Sequence, residues 1–246
     1  MGDHDRTVRF RKARRDPGLT VVEGFHALKH ALRFGAELVE AVAVDPEGLE
    51  DLARELAPDL AGHLGDRVER VDAGLLAGLT PLVPRTGVVA IARRPPVDVA
   101  AALADPDPAP VVLLEQPKNM GNIGACIRVS AGAGAAAVLT TGENDPWYPD
   151  AVRGAAGLHF ALPVASVAAL PESDRPLLAI DPEGEEMAAE RMPDRAVLAF
   201  GTERHGIGEA LLERADARVA IPMRPGVSSL NLATSVAIAL YCQRLG

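Results

Sequence analysis

Short apolar runs punctuate the second half of this chain and limit what it can fold into. Val111–Glu115, Ala136–Thr140, Leu177–Ile180, Ala196–Phe200 and Ala217–Ile221 are each four or five residues long. Runs of that length, apolar almost throughout rather than alternating, read as strands buried on both faces. Segments of helical spacing fall between or after them: Asn122–Gly132, Asp150–Gly157, Gly208–Arg214 and Ser229–Leu245. Short buried strands alternating with helices predict an α/β fold with a parallel sheet covered on both sides.

The first half alternates too, on a smaller scale. Thr20–Leu32 opens extended and then takes helical spacing, and Leu38–Val44 reads as a strand. Leu49–Leu60 reads as an amphipathic helix stopped by Pro58 and Gly62, Arg67–Val71 as a short strand and Ala73–Leu79 as a short helix. Gly87–Ala92 is a buried strand, and the pattern closes near Arg94. Pro95-Pro96 and Asp105-Pro-Asp-Pro-Ala-Pro110 then bracket one short helix, the best candidate for a linker. The expected organisation is a small α/β domain over residues 1–95, a Pro-rich linker over 96–109, and a second domain over 110–246.

Charge divides the chain unevenly. The net charge is −9, yet residues 1–15 carry Arg6, Arg9, Arg11, Lys12, Arg14 and Arg15 against only Asp3 and Asp5. That pattern predicts a basic N-terminal arm on an acidic protein. Arg supplies 22 of the 25 cations, and its planar fork suits phosphate better than the Lys ammonium does. Acidic overall charge argues against tight non-specific nucleic-acid binding. No apolar stretch is long enough to span a bilayer, and Met1–Arg6 lacks the apolar core of a signal peptide. Cys126 and Cys242 lie in helix-like Ala/Ile/Leu surroundings and read as buried thiols. The expected location is the cytoplasm.

Three segments carry the chemistry. They are Gln116-Pro-Lys-Asn-Met-Gly-Asn-Ile-Gly-Ala-Cys-Ile-Arg128, Phe200-Gly-Thr-Glu-Arg-His-Gly-Ile207 and Ile221-Pro-Met-Arg-Pro-Gly-Val-Ser-Ser-Leu-Asn231. Each starts where a predicted strand ends, the usual place of an α/β active site. Each alone also has an ordinary reading as a loop, turn or helix cap. Other motifs fail on context. Gly132-Ala-Gly134-Ala-Ala-Ala137 spells a dinucleotide fingerprint, but it ends a helix and leads into a strand, which predicts a helix C-cap. His26 and His30 share one helix face without further ligands nearby in sequence, so no metal is expected. Ser228 and Ser229 lack the G-x-S-x-G context of a hydrolase.

Together the three segments resemble the motifs of the SpoU/TrmH branch of the SPOUT RNA methyltransferases. Asn122 and Arg128 match the first motif, an Asn followed six residues later by an Arg. Gly201, Glu203 and Gly206 match G-x-E-x-x-G, and Ile221-Pro-Met223 with Ser229-Leu-Asn231 match the third. The likeness covers roughly residues 110–245. Val22-Glu-Gly24 and Gly87–Ala92 also resemble the small α/β substrate-binding domain often fused to these enzymes. One position departs: where the family often has R-A-S-x-G, this chain reads Arg153-Gly-Ala-Ala-Gly157, with Ala155 in place of Ser.

The resemblance implies a parallel sheet tied into a deep trefoil knot, S-adenosylmethionine in the knotted loops, and a homodimer acting on structured RNA, rRNA or tRNA. It implies methyl transfer to a ribose 2′-hydroxyl, without a metal. Arg128 is assigned to that hydroxyl, either as its base or as a clamp on the adjacent phosphate, since guanidinium scarcely deprotonates. Asn122, Asn231 and Ser229 belong with it, and Glu203 binds Arg128 or a substrate hydroxyl. Ile180, Gly201, Ile221, Met223 and Leu230 are assigned to the cofactor. Aromatics are 3% of the chain, so shape and phosphate contacts are expected to dominate RNA recognition, with Arg9, Arg11, Arg14, Arg15 and Arg153 as candidates. The rival reading is a catalytically silent RNA-binding protein on the same fold.

Overall fold

The computed structural model describes residues 2–62, 64, 67–202 and 205–245. They fall into two compact units, Met1–Pro96 with Trp147–Ala161, and Val97–Pro146 with Leu162–Gly246.

The first unit begins with a helix, α1 (Asp3–Ala13), where the charge pattern predicts an arm. Arg6, Phe10 and Ala13 stand four and three residues apart, and this spacing forms the buried face of α1. Burial of Phe10 contributes about 2–3 kcal/mol. Arg6 is buried with its charge met: Nε donates to Glu40 at 2.6 Å and Nη2 to Glu69 at 2.5 Å. The bond to Glu69 leads in holding the Arg6 pKa above its ordinary value, against the opposing effect of burial. Part of the segment's basic charge thus serves the packing of the unit, through Arg6, Arg9 and Arg14.

The remaining elements are β1 (Leu19–Glu23), α2 (Phe25–Arg33), β2 (Leu38–Ala43), α3 (Pro46–Leu56), β3 (Glu69–Arg70), α4 (Ala73–Leu79) and β4 (Val88–Arg93). The strands make a sheet of order β1-β4-β2-β3, with β4 antiparallel to both neighbours and β3 parallel to β2. Val21, Val42, Val89 and Ile91 pack with Phe10 of α1 and with Leu76 and Leu79 of α4. Residues 147–161 also belong to this unit. The Trp147 carbonyl accepts from the Thr20 hydroxyl at 2.9 Å, and the indole packs on His159 and Phe160.

The second unit contains α5 (Val99–Ala104), β5 (Val111–Leu114), α6 (Met120–Ala133) and β6 (Ala137–Thr140). After α7 (Pro149–Gly154), which lies in the first unit, come β7 (Val164–Ser166), β8 (Leu177–Glu186), β9 (Val197–Phe200), α8 (Glu209–Arg214), β10 (Ala217–Ala220) and α9 (Leu232–Leu245). The strand order is β10-β8-β9-β5-β6-β7 and every ladder is parallel. This is the sheet that the short apolar runs predict, and β5, β6 and β9 are buried at every residue.

Residues 97–109 are part of this unit rather than a spacer between two others. Leu103 of α5 enters the core beside Val111 and Leu177. Buried Arg175 donates to the carbonyls of Ala102, Leu103, Asp105 and Ala109, and Arg195 adds bonds to Leu103 and Asp105. Two guanidiniums thereby satisfy the open carbonyls at the C-terminal end of α5. Burial, then the neighbouring Arg195, pushes the Arg175 pKa down. Gly134 sits at φ 74°, ψ 35° as the C-cap of α6, so the dinucleotide-like string is a helix end. Among the described residues no helix is long and apolar enough to cross a membrane.

Candidate active site

Two helix starts, 109 residues apart in sequence, meet through a pair of amides. Asn119 caps α6, its Oδ1 accepting the Asn122 N–H at 3.0 Å. Asn231 caps α9: its Oδ1 accepts the Ala233 N–H at 2.9 Å and its carbonyl the Ser235 N–H at 2.9 Å. With Oδ1 engaged at the cap, Asn231 donates through Nδ2 to Asn122 Oδ1 at 3.0 Å. The first and third motifs are thus in direct contact. Their helices also pack against one another. The cap is Asn231, not Ser229, and the helix opens at Leu232, three residues later than the sequence predicts. Ser229 stays on the exposed loop.

A cavity of about 290 Å³ opens past the C-terminal ends of β9 and β10 and along the middle of β8, where the β8–β9 ladder stops. Ile180 and Phe200, the last pair of the β8–β9 ladder, close one side. Gly201, Thr202 and Gly206 line it, and Thr202 and Gly206 exchange backbone bonds of 2.9 and 3.0 Å. A Cβ on Gly201 would stand 2.0 Å from the Gly206 carbonyl carbon, so only glycine at 201 allows this close approach of the two backbones. Ile221 and Met223 follow β10, and Ser228, Ser229 and Leu230 lead into α9, which contributes Leu232 and Ser235.

The five residues assigned to a cofactor and Ser229 therefore line one cavity. Sequence reasoning missed Asp181, Thr202, Ser228 and Ser235, which line it too. Asp181 had a signal, as the first charged residue after the apolar run of β8.

Its position comes from an irregularity. β10 pairs Arg218 with Ala179 and the next residue, Val219, with Glu185. Residues 180–184 thus bulge away from β10 at the cavity mouth, the kind of distortion that re-aims side chains beside active sites.

The other assigned residues lie elsewhere. Arg128 is exposed on α6 and does not line the cavity. Six residues of helix carry it about 9 Å along the axis and about 120° around from Asn122. Among the described residues no ion-pair partner stands against it. Glu203 lies outside the described residues. Of the proposed RNA contacts, Arg9 stands 3.1 Å from Glu40. Arg14 and Arg153 both bind the buried carboxylate of Glu23, at 2.5 and 2.6 Å, and Thr80 donates to it as well. Arg11 and Arg15 remain exposed, together with Lys12. Ala155, in place of the family's frequent Ser, is fully buried at the end of α7.

The model of the SpoU rRNA methylase family matches residues 109–241, more than half of the chain and all three motif segments. The chain belongs to the SpoU rRNA methylase family. An uncharacterized tRNA/rRNA methyltransferase of Mycobacterium bovis is 36% identical over 208 residues, covering 79% of this chain and 71% of that protein. The 23S rRNA (adenosine(1067)-2′-O)-methyltransferase of Streptomyces azureus is 30% identical over 236 residues, covering 90% and 84%. The crystal structure of the SpoU methyltransferase AviRb from Streptomyces viridochromogenes, in complex with AdoMet, superposes with a TM-score of 0.76 over 96% of this chain and 97% of that one. At 24% identity that likeness concerns the fold. Both relatives span the two units, so the likeness is not confined to the motif-bearing half.

Proposed function

We propose that this chain transfers a methyl group from S-adenosylmethionine to a ribose 2′-hydroxyl of structured RNA, rRNA or tRNA. The observation that carries the reading is the 3.0 Å contact between Asn122 and Asn231, in a unit whose cavity is bordered by the loop leading to Asn231. The cavity suits adenosine: Ile180, Phe200, Ile221 and Leu232 offer apolar surface to a base, and hydroxyls of Thr202, Ser228, Ser229 and Ser235 offer hydrogen bonds beside it.

S-adenosylmethionine, when bound, supplies a methyl group already activated as a sulfonium, so no metal is required. Ile180, Gly201, Ile221, Met223 and Leu230 hold the adenosine part. Asn122 and Asn231 fix each other's rotamers and orient the acceptor ribose, which is the alignment a two-substrate transfer needs. Arg128 clamps the phosphate beside the target and polarises its hydroxyl, a role open to a cation that stays protonated. Glu203 orients Arg128 or a substrate hydroxyl, and Ser229 borders the same loop.

In the first unit, exposed Arg11, Lys12 and Arg15 carry RNA phosphate, which places RNA holding in that unit and chemistry in the other. A homodimer in the cytoplasm fits the family, and so does threading of the C-terminal segment into a knot. The packing of α9 against residues 189–191, between β8 and β9, supports that threading.

The test is methylation of total rRNA and tRNA by the purified chain with tritium-labelled S-adenosylmethionine, followed by alkaline hydrolysis. A 2′-O-methyl group removes the internal nucleophile for strand cleavage, so label in alkali-resistant dinucleotides is the expected result. Label in mononucleotides would mean base methylation. RNA binding without label would favour the silent RNA-binding protein.

A further inference from the structure

The proposed function assigns apolar side chains and backbone to the cofactor, and leaves one charged group in the cavity without a task. Asp181 is the carboxylate among the described lining residues. Its side chain is only 12% exposed. It is also built into place. Oδ1 accepts the Glu183 N–H at 2.8 Å, while Oδ2 faces the Arg218 guanidinium at 3.7 Å. The bulge that carries it is closed by Gly184, which lies so near the Arg218 backbone that a Cβ there would come within 2.4 Å. Register jump, close approach and Asx-type turn together hold the carboxylate at the cavity wall.

We propose that Asp181 accepts hydrogen bonds from the ribose hydroxyls of the bound adenosine moiety and so selects for an intact ribose diol. This rests on the methyltransferase reading of the same cavity. The argument is one of adjacency. Ile180 lies beside Asp181 and faces Phe200 across the β8–β9 ladder, giving the apolar surface that a base prefers. The group covalently next to adenine is its ribose. A carboxylate has only acceptor capacity, and a vicinal diol brings two donors to it. Asp181 has one oxygen engaged by Glu183 and the other at ion-pair distance only, which leaves lone pairs for a hydroxyl. A carboxylate that reads ribose hydroxyls beside a parallel sheet is a solution dinucleotide enzymes also use, there from a strand end rather than from a bulge.

The test is calorimetric binding of S-adenosylhomocysteine, and of its 2′-deoxy and 3′-deoxy analogues, to the full chain and to Asp181→Ala and Asp181→Asn. Circular dichroism and melting would confirm that both variants fold. The wild type should bind the parent compound roughly tenfold or more tightly than at least one deoxy analogue, as expected for a hydrogen bond to a charged acceptor. In Asp181→Ala that preference should collapse towards unity, and Asp181→Asn should fall between.

Equal weakening of all three ligands by Asp181→Ala would mean that the residue only shapes the bulge, and the proposal would be wrong. Equal binding of all three by the wild type would overturn it too, while leaving the methyltransferase reading intact. A carboxylate that served the sulfonium instead would show as loss of S-adenosylmethionine binding with S-adenosylhomocysteine unaffected. If the wild type bound neither compound, the methyltransferase reading itself would fall, and this inference with it.

Discussion

The two units place their key polar groups differently, although Arg175 and Arg195 of the second are also turned inward, on the carbonyls at the end of α5. In the first, strong donors and acceptors are turned on one another: Arg6 on Glu40 and Glu69, and Arg14, Arg153 and Thr80 on Glu23. In the second, the polar groups at the strand ends line an open cavity, and one amide pair stands at the helix starts. A buried charge ringed by several partners of its own unit, as Glu23 is by Arg14, Arg153 and Thr80, serves the fold, however well its sequence suits a ligand. Polar groups gathered at strand ends around a cavity are available for chemistry.

The largest effect expected from that contrast is on stability. Glu23→Gln keeps the volume but leaves two guanidiniums facing a neutral amide in a site where the carboxylate is 1% exposed. Breaking such a pair is expected to destabilise by about 3–5 kcal/mol. Urea denaturation, with ligand absent, measures it directly. A destabilisation below about 1 kcal/mol would place this network with ordinary surface ion pairs and dissolve the contrast.

Next comes the group that the second unit leaves exposed. Arg128→Ala is expected to lower turnover by roughly 10²–10³-fold, as removal of one electrostatic stabiliser does, while affinity for S-adenosylmethionine holds. Arg128→Lys should fail as well, because the ammonium lacks the planar two-donor fork. Near-normal turnover by the Lys variant would discard the phosphate clamp.

A smaller effect separates capping from chemistry at Asn231. Asn231→Ala removes the cap of α9, worth about 1 kcal/mol, together with the bond to Asn122. Asn231→Asp keeps an acceptor for the Ala233 N–H and puts negative charge at a helix N-terminus, where it is favourable. It lacks the amide N–H that Asn122 accepts. The Asp variant should therefore keep its melting temperature and lose activity by roughly threefold to tenfold, the size of one hydrogen bond. Full activity in that variant would reduce the amide pair to a structural contact.

Much of this architecture was legible because its causes are local. Four or five apolar residues between helical segments are enough to predict β5, β6, β9 and β10, and Gly134 reads as a C-cap from its place after a helix. The motif spacing likewise anticipates residues that share the cavity. What was missed depends on distant partners. The basic N-terminus reads as an arm because Arg6 interrupts the apolar face of α1, and its partners Glu40 and Glu69 are 34 and 63 residues away. The Pro-rich 96–109 stretch reads as a linker until Arg175 and Arg195, more than 60 residues on, cap α5. The bulge at 180–184 exists only against β10, so the sequence marks Asp181 as the first charge after an apolar run but not as a wall of the cavity.

The last and smallest effect returns to α1, where the contrast can be tested within one helix and the turn that follows it. Arg11, Lys12 and Arg15 are exposed, whereas Arg14 holds Glu23 and Arg9 holds Glu40. If the exposed cations carry RNA phosphate, replacing Arg11, Lys12 and Arg15 with Gln should flatten the dependence of log K on log salt. Each phosphate no longer neutralised should change that slope by about 0.7–0.9. Stability should hold, since surface substitutions of this kind usually stay within about 0.5 kcal/mol. Base preference should survive, because phosphate contacts position RNA without reading its sequence. Arg14→Gln should behave in the opposite way, losing stability through Glu23 while the salt slope changes little. A slope that tracks Arg14 rather than the exposed three would mean that the Glu23 network opens to take RNA, and that the internal pairing seen in the first unit is a resting arrangement of a binding surface.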